Sequence, residues 1–439
     1  MSANQFDNLN KTFAKYVSAN IMGMVGISFY ILADTLFIAK GIGTDGLAAL
    51  NLALPIFSLI HGIGVMVAMG SATKYSILRA MGQDKQANRF FTQAFWTTVM
   101  IGILFLLGGV FFSRFICQFL GSKGEIIGYT DGYLKTIMVF TPMFSLNHLF
   151  ICFVRNDGNP RLAMHATLWG SFVNIIFDYI FIFPMQLGMF GAALATGMAP
   201  IVGIIITSFH AIRKKNKYHF VKGKYDMSIS IDTLKLGFSS FINEMSSGIV
   251  IFIFNWIILR IAGTIGVAAY GVIANTALVF TSLFTGLGQG IQPLISHYYG
   301  TRDHEKVKKT LHYAIITAFV LSMLSYVVIV VFKVPLVALF NEENNREMAM
   351  IAELGVVLYF IGLIPCGCNV VSVFYLNSRE EAVKGLTISI LRGFVFITLS
   401  VAVLAVLWGM TGVWLAFPCA EIATALVAFY ILRKQKKMQ

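Results

Sequence analysis

The sequence predicts an all-α membrane protein, with twelve transmembrane helices in two parallel six-helix bundles related by a pseudo-two-fold axis. Composition is the first sign: the 439 residues are 57% hydrophobic and only 12% charged, whereas a soluble chain carries about 25% charged residues. Run length is the second. The apolar residues fall into stretches of about 20–28, the length that carries an α-helix across hydrocarbon. Within lipid each backbone N–H and C=O must be satisfied inside its own element, so spans of this length are helices. Weak alternation argues against a barrel. The third sign is a repeat, described below.

The spans follow in order. The first begins near Phe13, behind Lys11 and Lys15, and holds Gly23 and Gly26 but no proline up to Phe37. The second, from near Leu47, closes on Arg79, Lys85 and Arg89, and the third starts near Phe91. The fourth, from near Leu134, contains Pro142, a kink candidate because proline cannot donate to the preceding turn. It closes on Arg155 and Arg161, ahead of a fifth span from near Leu162. The sixth, from near Met189, runs into Arg213, Lys214, Lys215, Lys217, Lys222 and Lys224. The seventh and eighth begin near Leu236 and Val267 and end at Arg302, Lys306, Lys308 and Lys309. The ninth and tenth, from near Leu311 and Ile351, end at Arg379 and Lys384. The last pair, from near Leu386 and Gly412, ends at Arg433, Lys434, Lys436 and Lys437.

Charge orients these spans. The segments on the face of the chain termini hold 23 of the 33 basic residues, against about seven on the other face, among them Lys40, Arg114, Lys123 and Arg346. The positive-inside rule therefore predicts a multi-pass protein of the cell membrane with both termini cytoplasmic. The net charge of +13 then faces anionic lipid, and no nucleic-acid partner is expected. No short apolar core with an A-x-A site precedes the first span, so no cleaved leader is expected. The five cysteines, Cys117, Cys152, Cys366, Cys368 and Cys419, have neither disulfide-framework nor zinc-site spacing and read as packing residues.

The chain repeats at nearly one offset. GTDGLAA (43–49) returns as GTIGVAA (263–269), and LGMFGAALA (187–195) as WGMTGVWLA (408–416). Gly70 and Gly82 match Gly288 and Gly300. The division this predicts is an amino-terminal bundle over residues 1–212, a basic cytoplasmic linker over 213–235 and a carboxy-terminal bundle over 236–439. Six spans per half bring both halves into the membrane in the same sense, an arrangement expected of carriers that rock two bundles about a central site.

Within this frame VNIIFDYIFIF (173–183) stands out, because Asp178 lies deep in an apolar span and Asn174 is one turn before it on the same face. An acid there costs about 2.5–3.5 kcal/mol on insertion scales. Asp34 occupies the outer half of the first span, Thr196 lies about 10 Å into the sixth at 1.5 Å per residue, and Tyr133 opens the fourth from the same side. Two carboxylates, an amide and two hydroxyls thus share a level in one half. Oxygen ligands suit Na⁺, and paired desolvated carboxylates equally suit a proton. At the equivalent positions of the second half stand Phe254, Leu399 and Phe417, so the acids are not demanded by the shared architecture.

ADTLFIAKGIGTDGLAALNLALPI (33–56), GLGQGIQPLISHYYG (286–300) and NIIFDYIFIF with GMFGAALAT (174–196) resemble the multidrug and toxic compound extrusion family over almost the whole chain. The likeness is nearest to its bacterial branch with a carboxylate-rich amino-terminal half. It implies secondary efflux of amphipathic, often cationic drugs or dyes by alternating access, in exchange for Na⁺ or H⁺ and with no other cofactor. It also implies that Asp34, Asn174, Asp178 and Thr196 form the cation site, with Na⁺ as the metal if coupling is to sodium, and that Tyr133 lines the same cavity. Glu244 matches a family acid that serves substrate or cation. Several relatives carry a first-span proline tied to bending. This chain has none there, so a proline switch does not transfer.

Other polar residues within spans have structural readings. Glu421 either pairs with Arg392 or joins the cavity, and Arg392 either counters Glu421 or faces a vestibule. Lys74 is expected to snorkel to the interface, and Glu353 to mark a span's edge. His61 and His148 read as satisfied packing residues. A flippase for lipid-linked precursors shares the architecture, but would need several intramembrane cations, and chiefly Arg392 is visible. A receptor or enzyme is the remote alternative: HExxH and GxSxG signatures are absent and the outer loops are short, so catalysis is not expected. A monomer is.

Overall fold

The computed structural model describes residues 6, 8–124, 126–341 and 345–438; side chains beyond Lys434, those of Lys436 and Lys437 included, lie outside the described residues. Six spans form each half. The first half comprises α1 (Leu9–Gly41), α2 (Thr44–Ala80), α3 (Asp84–Phe119), the broken span α4 (Ile126–Val139) with α5 (Thr141–Asn156), α6 (Pro160–Ile182) and α7 (Gly188–Ile212). In the second, α8 (Met227–Gly300) supplies two spans that meet at Gly263, and α9 (His304–Val331) one. The short α10 (Lys333–Phe340) lies before the next span, which runs through α11 (Arg346–Tyr359) and α12 (Leu363–Asn377). The last two spans are α13 (Ala382–Ile390) continued by α14 (Ile397–Met438), which breaks at Gly409.

Local chemistry sets the helix ends. Asn8, Asn159, Asp226, Asp303 and Asn345 each cap a helix by accepting from a first-turn backbone N–H, which satisfies a donor the helix itself cannot. The fourth span bends by 46° between α4 and α5, where Pro142 stands in the first turn of α5. Large apolar side chains such as Phe111, Phe115, Phe119 and Val406 face outward along the flanks. On a soluble protein so continuous a patch would drive aggregation; here it meets acyl chains.

The backbone carries the repeat more sharply than the side chains do. Left-handed residues recur in pairs: Gly43 at φ 90 and Gly263 at φ 61, Gly82 at 76 and Arg302 at 59, Gly158 at 98 and Glu380 at 62, Gly188 at 55 and Gly409 at 56. Each pair ends one span and starts the next. The pairing corrects the match of Gly82 with Gly300, since Arg302 occupies the equivalent turn. The match of Asp178 with Leu399 also shifts. Residues Leu391–Phe396 form a π-turn, which inserts one residue into the helix phase. Leu399 consequently points outward, and Val401 is the fully buried side chain of that turn.

The basic linker is zipped onto α3. The backbone N–H of His219 donates to Asn88, that of Val221 to Thr92 and that of Asp226 to Gln93 Oε1, while Gln93 Nε2 donates to the Lys224 carbonyl. Tyr218 packs on Phe91 and Phe153. The seventh span starts at Met227, nine residues before the apolar run near Leu236, because Asp226 caps it and Ser230 shares hydroxyl bonds with Thr97 and Tyr225.

The halves meet only toward the face of the termini. There α2 crosses α8 at Gly70 and Gly237, where a Cβ on either glycine would collide with backbone of the other half. Gly286 and Gly290 of α8 also press on backbone, that of Asn20, Ile21 and Val17 of α1, though less closely. Lys74 does not snorkel to lipid; it pairs with Glu380 of the other half. Ser28–Ser282 at 2.8 Å and His61–Glu244 at 3.3 Å are the last contacts of this seam. Beyond them, among the described residues, no hydrogen bond, ion pair or ring contact joins the halves. On the face opposite the termini the described residues of the two halves are thus not bonded to each other.

Candidate functional site: a buried carboxylate pair in the amino-terminal half

Each candidate coupling residue comes from a different crossing of the first half. Asp34 lies seven residues before the end of α1, Asp178 four before the end of α6, Thr196 eight into α7 and Tyr133 seven into α4, all within about 6–12 Å of the helix ends at 1.5 Å per residue. They converge as the sequence predicts. Asp34 is 8% exposed, Asp178 and Asn174 0%, Thr196 and Tyr133 4%. The two carboxyls lie within hydrogen-bonding reach of each other, and the Tyr133 hydroxyl reaches Thr196. Ile38, Leu134, Ile137, Ile182, Met189 and Ala192 wall the cluster with apolar surface.

Among the described residues neither aspartate has a basic partner, and Oδ1 of each is buried with no hydrogen bond. Two negative charges so placed repel in a medium that cannot screen them. Asn174 bridges two of these helices: its amide donates to Asp178 Oδ2 at 3.0 Å and accepts from the Thr196 N–H at 3.3 Å.

Sequence reasoning missed Tyr30. It sits one turn before Asp34 on α1 and is electrostatically coupled to both aspartates. Its i, i+4 spacing from Asp34 was the available signal.

The other candidates do not join this cluster. Glu421 is 2% exposed and accepts from Arg392 Nε at 2.8 Å and from Asn369 Nδ2 at 2.7 Å. Arg392 also donates to Cys366 Sγ at 3.1 Å and lies in the π-turn. The second half thus carries an acid already neutralised by its own cation. Glu244 lies at the end of the seam beside His61, whose ring stands edge-on to His148 at 4.4 Å. Glu353 lies 3.7 Å from Lys333.

The MatE family profile matches residues 20–180 and 240–404, most of both halves. The chain belongs to the MatE family. Among curated relatives of this MatE chain, multidrug export protein MepA of Staphylococcus saprophyticus is 26% identical over 392 residues, covering 88% of this chain and 85% of that protein. MepA of Staphylococcus aureus is 23% identical over 390 residues, with the same shares covered. The MatE fold is shared with solved structures. An outward-facing MATE transporter of the MOP superfamily superposes with TM-score 0.93 at 20% identity, over 98% of this chain and 96% of that one. A point mutant of the Vibrio cholerae MATE transporter VcmN gives TM-score 0.91 at 21% identity, over 100% and 99%.

Proposed function

We propose that this chain is a secondary multidrug exporter of the cell membrane, with cytoplasmic termini, that exchanges amphipathic and often cationic compounds for Na⁺ or H⁺. One observation carries the coupling: two carboxyls within reach of each other, buried, without a basic partner, each with an orphaned oxygen. With the termini inside, we read the face where the halves are not bonded to each other as a cleft that opens outward. Similarity to the multidrug export protein MepA supports small-molecule export over catalysis.

The coupling follows from charge. A proton shared by Asp34 and Asp178 removes one of the two like charges. A sodium ion would draw on both carboxylates, the Asn174 carbonyl and the Thr196 hydroxyl, oxygen donors that suit a hard cation. Either ion removes the penalty for closing apolar helices around the pair and disfavours a cationic drug attracted to the same field. The drug leaves outward, the halves rock, and the ion departs inward. Each ligand shifts the balance only by its difference in affinity for the two states. A lipid-precursor flippase fits less well, since Arg392 is taken by Glu421.

The test is dye efflux from vesicles with sodium and pH gradients imposed separately. Wild-type protein should respond to one gradient and lose the response with Asp34→Asn or Asp178→Asn. Wild-type rates in both variants would end the proposal.

A further inference from the structure

Arg155 does not lie in a cytoplasmic loop, as its place in the sequence suggests. It stands in the last turn of α5, 1% exposed, in the seam between the halves. Its Nη1 donates to Asn20 Oδ1 of α1 at 2.8 Å and to Gln289 Oε1 of α8, in the other half, at 2.8 Å. Nη2 meets only sulfur, Met69 at 3.4 Å and Cys152 at 3.2 Å, and Nε has no partner. Among the described residues it forms no ion pair. The nearby acid in sequence, Asp157, is engaged by His210 Nε2 at 2.9 Å and the Lys217 N–H at 2.7 Å. A guanidinium carries five N–H donors. Here it is stripped of water and met by two neutral oxygens and two weak sulfur acceptors.

Such a charge opposes the state that buries it. Desolvation is repaid only by excellent geometry and a full set of partners, and this set is incomplete. The rest of the seam favours closure: glycine-to-backbone contact, neutral bonds such as Asn156–Gln292 at 2.9 Å, and the Lys74–Glu380 ion pair, whose charges satisfy each other. We propose that Arg155 is a positioning residue of the transport cycle, a spring rather than a latch. Its burial raises the free energy of the closed seam, so that the seam can open to the terminal face and rehydrate the guanidinium. The proposal goes beyond cation coupling and does not depend on which ion drives it.

Opposite signs at the two ends of one hydrogen bond supply the test. Spin labels at the exposed positions Lys85 and Lys308 would report the distance between halves on the terminal face, in nanodiscs, by pulsed electron resonance. Arg155→Met replaces the charge with a side chain that suits Met69 and Cys152, and the seam-open fraction should fall by about fivefold or more, with slower transport. Gln289→Leu removes an acceptor and leaves the charge worse satisfied, so the seam-open fraction should rise. Arg155→Lys should keep a measurable open population. If both Arg155→Met and Gln289→Leu open the seam, Arg155 is a latch and the proposal fails. It fails equally if neither moves the distribution.

Discussion

On the proposed coupling, a cation or proton cancels the charge of Asp178 for part of the cycle; among the described residues no arginine or lysine pairs with it, and its Oδ1 is buried without a hydrogen bond. Glu421 in the other half is the contrast: Arg392 neutralises it at 2.8 Å. The two acids should respond differently to removal of charge. Asp178→Asn should fold and insert yet lose gradient-driven efflux by about tenfold or more, a change that needs only about 1.4 kcal/mol of lost coupling. Glu421→Gln should leave Arg392 buried and unpaired and destabilise by about 3–5 kcal/mol. The Glu421→Leu, Arg392→Met double variant should recover much of that loss in thermal melts. Both acids and Asn174 were legible in the sequence because an acid in an apolar span demands a reason. Arg155 was not: an arginine one residue before a helix end reads the same whether the next layer is water or another half of the protein.

Helices add constraints no side chain carries alone. Gly263 at φ 61 and Gly409 at φ 56 turn one long helix into two spans without a loop. With ψ at −155 and −133, both lie where essentially only glycine sits, and a side chain there costs about 1–3 kcal/mol. Gly409→Val should therefore lower thermal stability by about that amount, and a melt unchanged from wild type would refute the turn's strain. Gly237 is held by close approach instead. Gly237→Val would drive a Cβ into the Met66 carbonyl and force α2 from α8, so the terminal-face seam should admit thiol reagents that wild type excludes. Asp226 shows how a linker residue sets a helix start. Bonds from Ser228 and the charge of Arg89 hold its carboxyl below the usual range. The cap's contribution is present at neutral pH, above the unfolded value, and fades only as pH falls through the lowered one. The spans were legible from apolar run length, but the early start at Met227 was not, because its support comes from α3.

At the scale of the molecule, the halves touch on one side and part on the other. A cysteine at Ser247, on the exposed face above Glu244, should react with a membrane-impermeant maleimide added outside whole cells, and the drug-coupled swing inward should slow that reaction. Labelling from the cytoplasmic side alone would invert the assigned orientation. The repeat makes the two halves alike in backbone, while the unpaired acids sit in one and the acid–arginine pair in the other. A symmetric machine thus carries an asymmetric load. The seam, tight through glycines and crossed by the Arg155–Gln289 bond, joins the halves on the terminal face.

Run length, basic-loop bias and the repeat by themselves determined that this chain crosses the membrane twelve times in two similar halves. Those properties follow from hydrocarbon's demand that each span satisfy its own backbone and from the charge of the lipid surface. They also singled out Asp34 and Asp178, whose cost is local. Only the tertiary structure decided that the two acids meet, that Glu421 is already neutralised, that Arg155 is buried between halves and that the bonded seam lies on the face of the termini. Each of those depends on how helices far apart in the chain rotate and cross, and a contact between them is a property of the pair, written in neither span alone.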